Sequence, residues 1–212
     1  VQSNGGLIMA FVSNGTTILD AGAFSLSLGS MTLIKTLTAS SSANLSFVHG
    51  SASVVLDSTY PIYLFKYINV HPASDEVDFS VNFRDGGSDY DATKTSSAFA
   101  ANLDESGGND SLFYWGSRDL AQSTGAQKIA SAIGNGGDEC ASGELFLFNP
   151  SSTTFVKHFI STSNGYHASN YTVNQYIGGY CNVTAAIDAV QFSMSSGNID
   201  AGTIKLYGIK DS

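Results

Sequence analysis

A two-sheet antiparallel β-sandwich of jelly-roll type, preceded by a short N-terminal extension, is the fold this sequence predicts, on three observations. Only 13% of the 212 residues are charged against 42% hydrophobic, with 22 glycines and abundant Ser, Thr and Asn, the composition of short strands joined by polar turns. The stretch from Tyr60 to Pro72, YPIYLFKYINVHP, is rich in aromatic and β-branched residues and reads as a central strand buried on two sides. In VDFSVNFR, Val77, Phe79, Val81 and Phe83 alternate with Asp78, Ser80, Asn82 and Arg84, giving one core face and one wet face on a strand at an outer flank.

Taken in order, residues 1–30 form the extension. Two short apolar pieces, Leu7 to Val12 and Thr16 to Leu19, flank an Asn14-Gly15 turn signal and predict a small hairpin. Phe11, Ile18 and Leu19 are its candidate assembly residues, because short apolar segments outside a core seldom stay exposed. The domain proper, residues 31–212, starts with MTLIKTLTA and NLSFVHG, followed by the central run and VDFSVNFR. Between Asp85 and Asp138 the turn-rich pieces DGGSDYD, DESGGND and GNGGDE separate two short strands, 96–103 and 111–115. From Leu120 to Ile133, Ala126, Ile129, Ala130 and Ile133 recur at helical spacing and predict a helix. GELFLFNP and FVKHFIST then make a hairpin about Ser151 to Thr154, and AVQFSMSS with AGTIKLYGIK makes a terminal one.

Charge excludes some partners. With 18 acidic and 9 basic side chains the net charge is −9, and the lysines are scattered singly, so nucleic acid and anionic membrane are repelled. No apolar stretch reaches the roughly 20 residues that a membrane insertion requires. Because it begins at Val1, the chain reads as a processed form or a fragment of a longer product.

Catalytic and metal patterns are missing from the sequence. His49, His71, His158 and His167 are far apart and match no zinc spacing, and there is no Gly-x-Ser-x-Gly elbow, so the expectation is a non-enzyme without cofactor or metal. Acidic loops around Asp85, Asp104 and Asp138 supply hard oxygens of the kind Ca²⁺ takes, but turn geometry alone accounts for Asp at these places. Cys140 and Cys181 allow one disulfide or two buried thiols. Tyr114 and Trp115 follow one loop, and Tyr166 and Tyr171 lie at another that is rich in Asn and Ser; exposed rings of this kind stack on sugars, and the same residues also suit an interface.

The blocks GELFLFNPSSTTFVKHF and AIDAVQFSMSSGNIDAGTIKLYGIK, with MTLIKTLTASSSANLSFVHG and TYPIYLFKYINVHP, give the chain a resemblance over about residues 31–210. They resemble a group of virion-associated structural proteins of tailed bacteriophages, marine and aquatic ones in particular. The resemblance implies a viral structural protein on the virion surface, either a capsid decoration or a tail fibre or adhesin module. It also implies other virion proteins of capsid or tail as partners and a homo-oligomer such as a trimer. It carries no catalytic residue over. The alternative reading is a carbohydrate-binding, lectin-like module that recognises a host-surface glycan through Tyr114, Trp115, Tyr166 and Tyr171.

Overall fold

The computed structural model describes residues 11–13, 16–20, 23–24, 31–108 and 110–210. They are all-β: β1 (Phe11–Ser13), β2 (Thr16–Asp20), β3 (Ala23–Phe24), β4 (Met31–Thr38), β5 (Leu45–Val48), β6 (Ile62–Pro72), β7 (Val77–Arg84) and β8 (Lys94–Asp104). There follow β9 (Ser111–Tyr114), β10 (Leu120–Ser123), β11 (Gln127–Ile133), β12 (Ala141–Phe148), β13 (Lys157–His167), β14 (Tyr171–Cys181), β15 (Ala189–Met194) and β16 (Ile199–Ile209). Strands β1 to β3 make a small separate sheet, in which Ser13 pairs with Thr16 across the expected turn. The side chains of Phe11, Ile18 and Leu19 lie outside what is described.

The other thirteen strands form one antiparallel sheet in the order β4-β16-β6-β12-β13-β11-β7-β15-β5, with β14 and β8 branching from β13 and carrying β9 and β10. The sheet curls over on itself toward a barrel. Phe65 on β6 lies 5.3 Å from Phe47 on β5 and 5.6 Å from Phe192 on β15, and Tyr67 on β6 lies 5.3 Å from Phe79 on β7. Rings from strands far apart along the sheet therefore meet in a single aromatic core.

Only one backbone pairing, Ile133 with His167, joins β11 to β13. Backbone bonds from Gly134 N–H to the Tyr166 carbonyl oxygen at 3.2 Å and from Ala168 N–H to that of Ala132 at 3.1 Å flank this pair, Ser163 Oγ donates to the Ile129 carbonyl oxygen at 2.6 Å, and Gln175 Nε2 reaches across from β14 to that of Lys128 at 3.1 Å.

Several sequence expectations change. The central strand β6 buries one face fully through Tyr63, Phe65 and Tyr67, while on the other face Leu64 is buried, Ile62 and Lys66 are half-buried and Ile68 is exposed. A bulge at Asn69, whose φ is +50, then shifts the phase so that Val70 and Pro72 return to the core. Gly202 on the paired strand has φ +116, and a Cβ there would lie 2.7 Å from the Asn69 carbonyl oxygen and from Val70 Cα.

The expected helix over 120–133 is instead β10 and β11. Register shifts on either side of Ala130 stretch the usual spacing of two to three, which imitates a helical pattern. Strand β7 sits between β11 and β15 rather than on a flank, and its Asp78 and Ser80 are buried, not wet. Asp78 there meets Lys128 at 2.8 Å and Arg118 at 3.3 Å and accepts the Ala132 N–H at 3.0 Å. The terminal hairpin is not formed: β15 pairs with β7 and β5, β16 with β4 and β6, so the link between them, exposed at Ser195, Ser196 and Gly197, joins strands that are not partners. Cys140 is half-buried and Cys181 buried, and both are free thiols.

Candidate functional site on the outer face of the large sheet

In an antiparallel sheet, residues directly opposite one another share a face. The registers therefore map the outer face of the β4-to-β9 half residue by residue. At one end lie Met31, Ile209, Ile62 and Phe148, and beside them Leu33, Tyr207, Leu64, Phe146 and Ile160. Neither row holds a charge. Met31, Leu33 and Ile160 are 47%, 52% and 50% exposed, so this end shows open apolar surface.

The next rows change character. Lys205, Lys66, Glu144 and Thr162 run into Tyr176, Phe99 and Tyr114. Beyond them Ser142, Asn164 and Asn174 lie in register, and then Tyr166, Thr172 and Leu103. Asn164 Nδ2 donates to Thr172 Oγ1 at 2.8 Å and to Asn174 Oδ1 at 2.9 Å, which fixes the amide in place. A cavity of about 530 Å³ opens here between the loops after β8 and before β12, and a second of about 380 Å³ lies over Lys66, Glu144 and Thr162; Asn164 lines both.

The structure separates the four sequence-predicted sugar residues. Tyr166 and Tyr171 both line the larger cavity; the Tyr166 hydroxyl donates to Glu105 Oε1 at 2.8 Å, and that bond to a carboxylate holds the phenol above its ordinary pKa. Tyr114 stands on the same face but beside Phe99, 63% exposed, with its hydroxyl donating to Asp119. Trp115 is half-buried against the edge of the core, with the Phe113 ring at 5.3 Å and the Arg118 guanidinium 4.8 Å above its ring.

Two of the three acidic loops meet at the larger cavity through Asp104, Glu105 and Asp138. Their acids work locally, Asp104 Oδ1 accepting from Gly108 N–H and Ser106 Oγ at 2.8 Å each, and Glu139 Oε2 from Gly136 N–H. Among the described residues no group of three or more His, Cys, Asp or Glu side chains is placed to hold a metal.

Sequence reasoning missed Phe99, Asn164, Asn174 and Thr162 as site residues, because what unites them is cross-strand register, which no local spacing displays. No protein-family model, curated protein or solved structure matches the chain, so the face is judged on its own geometry.

Proposed function

We propose that this protein is a non-enzymatic structural module of a bacteriophage particle, displayed on the virion surface as a capsid decoration or as part of a fibre or adhesin, and assembling through protein–protein contacts. The phage assignment rests on the sequence resemblance; the assembling role rests on the uncharged apolar end of the outer face around Leu33, Phe146 and Ile160. Rows of four and five residues, at about 4.8 Å between strands, cover an apolar patch on the order of 300 Å² in which Leu64 alone is buried, and patches of that size are often functional. We read the curled sheet as a two-layer jelly-roll sandwich, supported by the link from β15 to β16, which joins strands that do not pair with each other. The N-terminal hairpin serves as a second point of attachment.

Light scattering with negative-stain imaging of the full chain tests the proposal. A closed homo-oligomer that persists at high salt is expected, since apolar burial is not screened. Leu33→Lys with Ile160→Lys should dissociate it while leaving thermal unfolding in place, and deleting residues 1–30 should leave a folded domain that no longer assembles. A wild-type chain that stays strictly monomeric at tens of micromolar overturns the assembling role.

A further inference from the structure

We infer that the polar half of the outer face is a saccharide-binding trough that takes a neutral oligosaccharide laid across β8, β14, β13, β12 and β6. The two cavities over this half, about 530 and 380 Å³, share Asn164 and so run into one another. Each falls within the range of small-ligand sites. Together they cross five strands, about 19 Å at the usual spacing, which is longer than a single sugar ring needs.

The chemistry of the floor fits hydroxylated ligands. Ser142, Thr162, Asn164, Thr172 and Asn174 offer neutral amide and hydroxyl groups, both donors and acceptors, beside Lys66 and Glu144, which offset each other at 4.0 Å, and a sugar hydroxyl is itself both donor and acceptor. The bonds from Asn164 to Thr172 and Asn174 hold part of that floor rigid before any ligand arrives, which lowers the entropy cost of binding.

Along one flank stands a rank of exposed rings. Tyr176 and Phe99 stack at 4.9 Å and 9° between planes, and Tyr114 follows Phe99 in register. Tyr176 lies directly opposite Thr162, so the rank begins where the floor ends. Rings that remain open to water beside a polar floor present a surface on which the apolar face of a pyranose can lie.

Charge and topology narrow the ligand. Asp104, Glu105 and Asp138 stand at the end of the larger cavity on a chain of net charge −9, which disfavours acidic sugars. A peptide added as a strand needs a free sheet edge, and the floor strands β12, β13 and β14 are each paired on both sides.

The test uses the full chain on an array of neutral and acidic oligosaccharides, followed by titration calorimetry and saturation-transfer NMR with the best-bound neutral compound. Binding to neutral oligosaccharides is expected, with saturation passing to the sugar from aromatic protons. Asn164→Ala and Tyr176→Ala should each weaken it about tenfold or more with thermal unfolding unchanged, both side chains being exposed. Ile160→Lys, at the apolar end, should leave it unaltered, which separates this site from the assembly surface. An array blank for the wild type, a preference for acidic sugars, or binding that survives both trough substitutions would overturn the inference.

Discussion

Lys94 Nζ, on a side chain with no exposed surface, donates to Asn82 Oδ1 at 2.5 Å and to the Ala92 carbonyl oxygen at 2.7 Å. In the register of β13, β14 and β8 it stands in one row with Cys181 and Lys157, all three fully buried. Burial depresses the Lys94 ammonium from 10.5 to about 8 against the opposing pull of Cys181, Asp91 and Asp85, and it lowers Lys157 in the same direction. It pushes the Cys181 thiol from 9.0 up to about 12.

Stability should therefore depend on pH in a particular order. Between about pH 8 and 9 the unfolded chain keeps a lysine proton that the folded chain has shed, so stability rises with pH, by at most about 1.4 kcal/mol per unit for one proton. From pH 9 the unfolded thiol ionises while Cys181 does not, which flattens the curve, and above pH 10 Tyr63, raised by burial to about 12, turns it downward. Urea unfolding from pH 7 to 11 reads this out. In Lys94→Met the rise between pH 8 and 9 should shrink sharply.

Asp78 gathers two cations on a buried strand, so Asp78→Ala takes the carboxylate from Arg118 and Lys128, leaving Arg118 only its bond to Ser131 Oγ at 2.9 Å, and strands the Ala132 N–H. The expected loss is about 3–5 kcal/mol. Because Arg118 also covers the single tryptophan, Trp115, its release should shift the fluorescence of the folded variant to longer wavelength. Unchanged emission would show that Asp78 does not hold that arginine in place.

Two glycines with positive φ should respond differently to alanine. At Gly202 the Cβ would strike the Asn69 and Val70 backbone, so strain and overlap together should cost about 2–4 kcal/mol. At Gly50, φ +76, nothing lies within 4 Å, and the cost should stay near 1 kcal/mol. Chemical denaturation of the pair compares the two terms directly.

Phe192 touches Phe47, Phe65 and Phe79, with ring centroids 5.6 to 6.2 Å away. Its replacement by alanine should cost about 3–5 kcal/mol, among the largest single losses in the core. A loss below about 1 kcal/mol, measured by urea unfolding, would mean that the closure of the curled sheet does not depend on this contact.

The all-β character and the core face of β6 were legible because Tyr63, Phe65 and Tyr67 keep a period of two until the Asn69 bulge. Strand β11 was not, since its bulges spread Ala130 and Ile133 to a helical spacing. The pair of strands about residues 197–200 looked like a hairpin because a short polar connection gives no sign of whether the chain turns back on its neighbour or runs on to another part of the sheet. Nothing set Lys94 and Lys157 apart from the other singly scattered lysines, for only the fold shows them enclosed. Of the outer face, Tyr166 and Tyr171 could be found by their loop, but Asn164 opposite Asn174 and Phe99 opposite Tyr176 became neighbours only through pairing.

The seam between β11 and β13 carries a last consequence. With one backbone pair and its two flanking hydrogen bonds at one end, and Ser163 on β13 and Gln175 on β14 bonding to β11 along the rest, closure there leans on two exchangeable residues, whereas the neighbouring β13–β14 ladder depends on backbone that no substitution to another non-proline residue removes. Amide hydrogen exchange should begin along this line, and Ser163→Ala should speed it there before any other part of the sheet. How far the sheet stands open or shut is in this way a heritable variable, adjustable by point substitution while every strand keeps its place.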